Sequence, residues 1–117
     1  MKTVTLKTQE EVDAFKGTSI TGDLFIEGSD INDLSPLLTL TSVGGALGIW
    51  SNSTLTNLNG LNNLTSVGGA LGIWNNSTLT NLDGLSSLTS VGGDLMIRYN
   101  PSLINLDGLR NLTSVNC

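Results

Sequence analysis

The sequence predicts a mainly β protein wound as a solenoid of 24-residue coils, with a capping helix at its N-terminal end. Three observations predict it. The stretch 40–63, LTSVGGALGIWSNSTLTNLNGLNN, returns at 64–87 with only Ser51/Asn75, Asn59/Asp83, Asn62/Ser86 and Asn63/Ser87 changed. A looser copy fills 88–111, and a fourth begins at Leu112. Apolar residues hold fixed places in every copy, and one short piece of each alternates with the period of a strand.

In chain order, Thr3-Val4-Thr5-Leu6 reads as a short strand. Thr8-Gln9-Glu10-Glu11 is a capping box that opens a helix over 9–16, with Val12 and Phe15 on one face and Gly17 as the stop. Residues 1–19 are therefore expected to cap the first coil, because a terminal coil must hide its apolar face. The solenoid proper takes 20–117, about four coils. Ile20, Leu24, Ile26, Ile31, Leu34 and Leu37 trace a first coil one residue shorter than the rest, with Ser35-Pro36 in place of an Asx-Gly turn.

The full coils then line up as Leu40, Val43, Leu47, Ile49, Leu55, Leu58, Leu61 and their copies 24 and 48 residues on. Leu47-x-Ile49 alternates with period two and is the clearest strand; stacked copies would form parallel ladders. Gly44-Gly45, Gly68-Gly69 and Gly92-Gly93 are expected to supply positive φ after the valine. Asn59-Gly60, Asp83-Gly84 and Asp107-Gly108 are turn dipeptides. Asn52, Asn76 and Asn100 sit three residues after the strand isoleucine, where a stacked asparagine ladder would satisfy buried backbone groups.

Composition narrows function. The chain has 117 residues, a net charge of −5 and no histidine, and no charged residue falls between Leu34 and Leu82. That leaves no basic surface to track phosphates, so nucleic acid is not an expected partner. No segment is long and apolar enough for a membrane span, and no signal-peptide pattern follows Met1. The single cysteine, Cys117, is a free thiol or an intermolecular link. Sequons at Asn52, Asn63, Asn75, Asn76 and Asn111 follow from the repeat's Asn/Thr composition.

The combination EVDAFKGTSITGDLFI followed by repeated TSVGGxLxI and NLDGL resembles the receptor L-domain family, the leucine-rich-repeat-like solenoids of receptor ectodomains, and looks closest to repetitive microbial cell-surface members. The resemblance covers nearly the whole chain. It implies a right-handed parallel β-helix with an N-terminal helical cap, an extracellular or cell-surface location, and ligand contact on the sheet that holds the LxI strand. Two features depart from the family: its flanking cysteines are absent, and no C-terminal cap is written after Val115.

If Leu47 and Ile49 point inward, the same parity turns Gly48 and Trp50, Gly72 and Trp74, Phe25 and Glu27, and Met96 and Arg98 outward. These eight residues form the candidate binding face for a protein or glycan, with the tryptophans central and Glu27 and Arg98 bracketing them. The alternative is structural, each indole lying over a glycine to shield backbone. Thr54-x-Thr56 over Thr78-x-Thr80 is a short threonine array of the kind that binds ice, but it decays to Ser102-x-Ile104. Asp83 and Asp107 stack beneath Asn59, yet the glycine pattern of calcium-binding β-rolls is missing.

No catalytic set is present, and no cofactor or metal is expected: there is no histidine, no base beside Cys117 and no convergent carboxylate pair. Leu112, Val115 and Cys117 mark an uncovered lower end that invites an end-to-end homodimer. Two functions thus stand in competition. One is a non-enzymatic recognition or adhesion module; the other is a structural or self-assembling solenoid, natural or engineered.

Overall fold

The structure, a computed structural model, describes residues 2–115. It is mainly β, with two five-stranded sheets whose strands all run parallel. The first sheet holds β1 (Val4–Leu6), β3 (Leu24–Ile26), β5 (Leu47–Trp50), β7 (Leu71–Trp74) and β9 (Leu95–Arg98), in that order. The second holds β2 (Ser19–Ile20), β4 (Ser42–Val43), β6 (Ser66–Val67), β8 (Ser90–Val91) and β10 (Ser114–Val115). Each strand pairs with its own counterpart in the next repeat: Leu47 with Leu71, Ile49 with Ile73, Val43 with Val67. This parallel stacking is compatible with a β-helix-like fold.

Identical partners follow from the sequence. With the repeat length constant, any register that buries one leucine buries all its copies, whereas a one-residue slip would turn Leu47 and Ile49 outward. The predicted core residues up to Val91 are buried in one cluster that runs from Leu6 through both sheets, whereas in the last full copy Leu95, Ile97, Leu103 and Leu109 are only partly buried and Leu106 is exposed. The first repeat is indeed one residue short. Leu24 pairs with Leu47, 23 residues on, whereas the Gly28 N–H reaches Asn52 Oδ1, 24 residues on. The missing residue therefore lies between Ile26 and Gly28. Its counterparts Ser51, Asn75 and Tyr99 all adopt left-handed backbone, with φ of 58, 60 and 59°. That corner carried no signal in the sequence, because only Asn among the three favours the conformation.

The asparagine ladder forms as expected. Asn76 Nδ2 donates to Ile49 O at 3.0 Å, and its Oδ1 accepts from the Asn52 N–H at 3.2 Å and from Asn52 Nδ2 at 3.0 Å. Asn52 and Asn76 are fully buried, and no buried side-chain polar atom lacks a partner among the described residues. A second column was not foreseen. Asp33, Asn57, Asn81 and Asn105 each accept, through Oδ1, the backbone N–H two residues on, at 2.9 to 3.0 Å. Those of Asp33, Asn81 and Asn105 lead into the 3-10 turns Ser35–Leu37, Asp83–Leu85 and Asp107–Leu109.

Two expectations are corrected, the positive φ of the Gly-Gly pairs and the end of the helix. The Gly-Gly pairs do not adopt positive φ. They are small because a Cβ on Gly68 would overlap the carbonyl of Gly44 in the preceding repeat. The Asx-Gly dipeptides are turns as expected: Gly84 and Gly108 sit in 3-10 turns against the carbonyls of Leu58 and Leu82, and Gly60 turns with a φ of 121°.

The helix, α1 (Gln9–Asp13), ends three residues before the predicted 16. Ala14 caps it, and the Phe15 N–H bonds back only three residues to Val12 O, which tightens the chain and leaves Phe15 packed against the core. Its N-terminus follows the capping box in part: Thr8 Oγ1 accepts from the Glu11 N–H, but the Glu11 carboxylate accepts from Lys7 N–H rather than from Thr8. Gln9 then joins helix to repeat, its Oε1 accepting from the N–H groups of Asn32 and Asp33 and its Nε2 donating to Asp33 O.

Candidate functional site

The first sheet alternates as its sequence requires. Leu47, Ile49, Leu71 and Ile73 are buried, and the residues between them form the opposite face. On that face Trp50 and Trp74, register partners in β5 and β7, stack with ring centroids 4.7 Å apart and planes 8° from parallel. Phe25 closes on Trp50 at 5.2 Å with a 44° tilt. Together with Met96, Ala46 and Ala70 these rings line a shallow apolar groove of about 190 Å³.

Each indole folds back over the glycine two residues before it. A Cβ on Gly48 would overlap the six-membered ring of Trp50, and one on Gly72 that of Trp74, so both glycines are buried. In the flanking strands the apolar bulk comes from the glycine position itself: Phe25 pairs with Gly48, and Gly72 with Met96. The residue two further on is then charged, Glu27 in one case and Arg98 in the other. Four successive strands thus place one bulky apolar group over the same strip of backbone, from two alternative positions. Stacked in this way, each indole covers one face of the other.

The structure therefore brings Phe25, Gly48, Trp50, Gly72, Trp74 and Met96 together as one strip. Glu27 and Arg98 stand at its two ends. Asp23, on the same face, uses its carboxylate to accept from the Ala46 N–H at 2.8 Å. Arg98 lies with its guanidinium carbon 5.7 Å from the centroid of Tyr99. Tyr99 is the residue that sequence reasoning missed: 68% exposed, it walls an open concavity of about 610 Å³ with Asn75, Ser77, Asn100 and Pro101. The departure of RYNP from the WNNS of the preceding copy was the available signal.

The threonine array is engaged internally. Thr54 Oγ1 donates to Ser29 O and Ile31 O, Thr78 Oγ1 to Ser53 O and Leu55 O, and Thr80 Oγ1 to Thr56 O, so these hydroxyls tie repeats together. Among the described residues no group of three or more acidic, cysteine or histidine side chains is placed to hold a metal, the Asp83–Asp107 column included. No helix among the described residues is long and apolar enough to cross a membrane. Of the sequons, Asn52 and Asn76 are buried, and Asn63 and Asn111 donate to Leu38 O and Ser86 O. At the lower end Leu112 is half-buried and Val115 is exposed; Cys117 lies outside the described residues. No family model matches this chain, and no curated protein matches it.

Proposed function

We propose that the chain is a non-enzymatic recognition module, a right-handed β-solenoid of 24-residue coils of the receptor L-domain kind, working outside the cell or at its surface and gripping a protein ligand on its first sheet. Residues 1–19 act as its N-terminal cap and 20–117 as the wound body. The winding is supported by the repeat-to-repeat register of both sheets, and the cap by β1 pairing with β3 and by the burial of Val12 beneath α1. The single observation that carries the binding face is the strip from Phe25 to Met96, a continuous apolar groove lined by Phe25, Trp50, Trp74 and Met96.

A protein suits the strip better than a glycan. Sugar rings need an open aromatic face, and the stacked indoles offer edges and a groove for apolar side chains instead. The second reading is purely structural, and the glycines under the indoles favour it: the strip then shields backbone and binds nothing. Screening the chain and its Trp50→Ser/Trp74→Ser variant against a glycan array and a displayed library of extracellular protein domains separates the two. The binding reading expects a protein partner, lost in a variant whose far-UV spectrum is unchanged. A variant that simply unfolds, or a partner that ignores the substitutions, contradicts it.

A further inference from the structure

The apolar strip is lopsided. Its indoles fold back over Gly48 and Gly72, so their bulk stands on one side of the groove, and the low side is lined by Ala46 and Ala70. Those alanines belong to one row that crosses the sheet. Leu24, Leu47, Leu71 and Leu95 are register partners, so the residues just before them, Asp23, Ala46, Ala70 and Asp94, follow one another from repeat to repeat. The N–H groups of Leu24, Leu47 and Leu71 donate to the carbonyls of Ala46, Ala70 and Asp94, which fixes the row.

The row has a carboxylate at each end and no basic residue between them. Asp94 is exposed; Asp23 is half-buried, and its Oδ1 accepts from the Ala46 N–H at 2.8 Å. Arg98, with Glu27, belongs to the row of the indoles on the other side of the strip, and its guanidinium carbon lies 5.7 Å from the Tyr99 ring centroid. The groove thus runs carboxylate, methyl, methyl, carboxylate along an aromatic wall. Three strand spacings separate the two acidic positions by about 14 Å.

That length fits an extended chain. The first and fifth residues of a strand are about 13 Å apart, and the first, third and fifth side chains share a face. A segment lying along the row, basic at its first and fifth positions and apolar at its third, answers every feature of the groove. Its lysine or arginine heads meet Asp23 and Asp94 while their aliphatic stems lie over Phe25 and Met96. Its apolar side chain enters the cavity of about 190 Å³ against Trp50 and Trp74. The net charge of −5 attracts such a segment from a distance. An acidic segment would meet like charge at both ends.

We infer that the groove takes an extended protein segment of alternating basic, apolar and basic side chains, its cations paired with Asp23 and Asp94 and its apolar residue set against the two indoles. This rests on the reading of the strip as a binding face, and it names what that face selects.

Trp50 and Trp74 are the only tryptophans of the chain, so indole emission reports on the groove itself. Titrating the full chain with the blocked peptide Lys-Ser-Leu-Ser-Lys should change that emission saturably, and roughly 0.5 M salt should weaken the binding. Asp94→Asn and Asp23→Asn should each weaken it roughly threefold, and both together roughly tenfold. Asparagine at position 23 retains an oxygen for the Ala46 N–H, so far-UV spectra should not change. Glu-Ser-Leu-Ser-Glu should not bind, and Lys-Leu-Ser-Lys, whose lysines point to opposite faces, should bind more weakly. Equal binding of Ser-Ser-Leu-Ser-Ser, or asparagine variants that bind like the wild type, overturns the inference and leaves the binding face standing. No emission change with any peptide overturns it as well, and the domain screen, which presumes no charge on the ligand, then decides on the face separately.

Discussion

Asn76 has no freedom left in its side chain: it donates to Ile49 O and to Asn100 Oδ1, and accepts twice from Asn52, all within 3.2 Å. Removing it orphans buried groups in two repeats at once. Asn76→Ala should therefore destabilise the fold by about 2–4 kcal/mol, more than an exposed asparagine such as Asn63, and a shift in urea midpoint measures it. The glycine beneath each indole makes a different argument. Gly72→Met alone would drive a side chain into Trp74 and cost about 1–3 kcal/mol, whereas adding Trp74→Arg reproduces the Met96/Arg98 solution of β9 and should recover most of it.

Asp33 carries the pH dependence argued from the structure. The Ser35 backbone N–H and then its hydroxyl hold the Asp33 carboxyl below its usual 3.8. A lowered folded value means that the contribution is present above the ordinary carboxylate range and lost as pH falls through the folded value. Asp33→Asn should flatten the acid limb of the stability curve below about pH 4 while leaving neutral stability nearly unchanged, since Asn57 makes the same Asx turn without a charge.

At the scale of elements, legibility tracked how much information each one carries. The LxI strands were readable because four alternating residues recur in every copy, and the core list followed from the same period. The second sheet was not, because its strands are two residues long and too short to show any alternation. The left-handed corner at Ser51, Asn75 and Tyr99 was hidden by its varied residues. The double glycines suggest positive φ in the sequence although their reason is non-local: a carbonyl one repeat away occupies the space of a side chain. The helix was overextended because Phe15 fits helical spacing, while the chain tightens after Val12 to pack that ring. The outward tryptophans were legible from parity alone. That they stack, and that Phe25 and Met96 supply the same bulk from the glycine position, needed coordinates.

For the whole molecule, one consequence of repetition governs the rest. Strand pairing from β3 to β9 and from β2 to β10, like each rung of the asparagine ladder, joins residues one repeat apart, so the sheets, the ladder and the aromatic strip are the same event repeated, and a repeat is stabilised by its neighbours. At the N-terminal end β1 and α1 cover the first repeat, β1 by pairing with β3 and α1 by burying Val12.

The direct test of this account is a NOESY spectrum of the folded chain, read at the two indoles. Trp50 and Trp74, 24 residues apart, should show strong ring-to-ring cross-peaks, and each should contact the α-protons of its own glycine, Gly48 or Gly72. Indoles with no mutual contacts, or with contacts only to sequence neighbours at helical spacing, would contradict the 24-residue register from which everything else is derived.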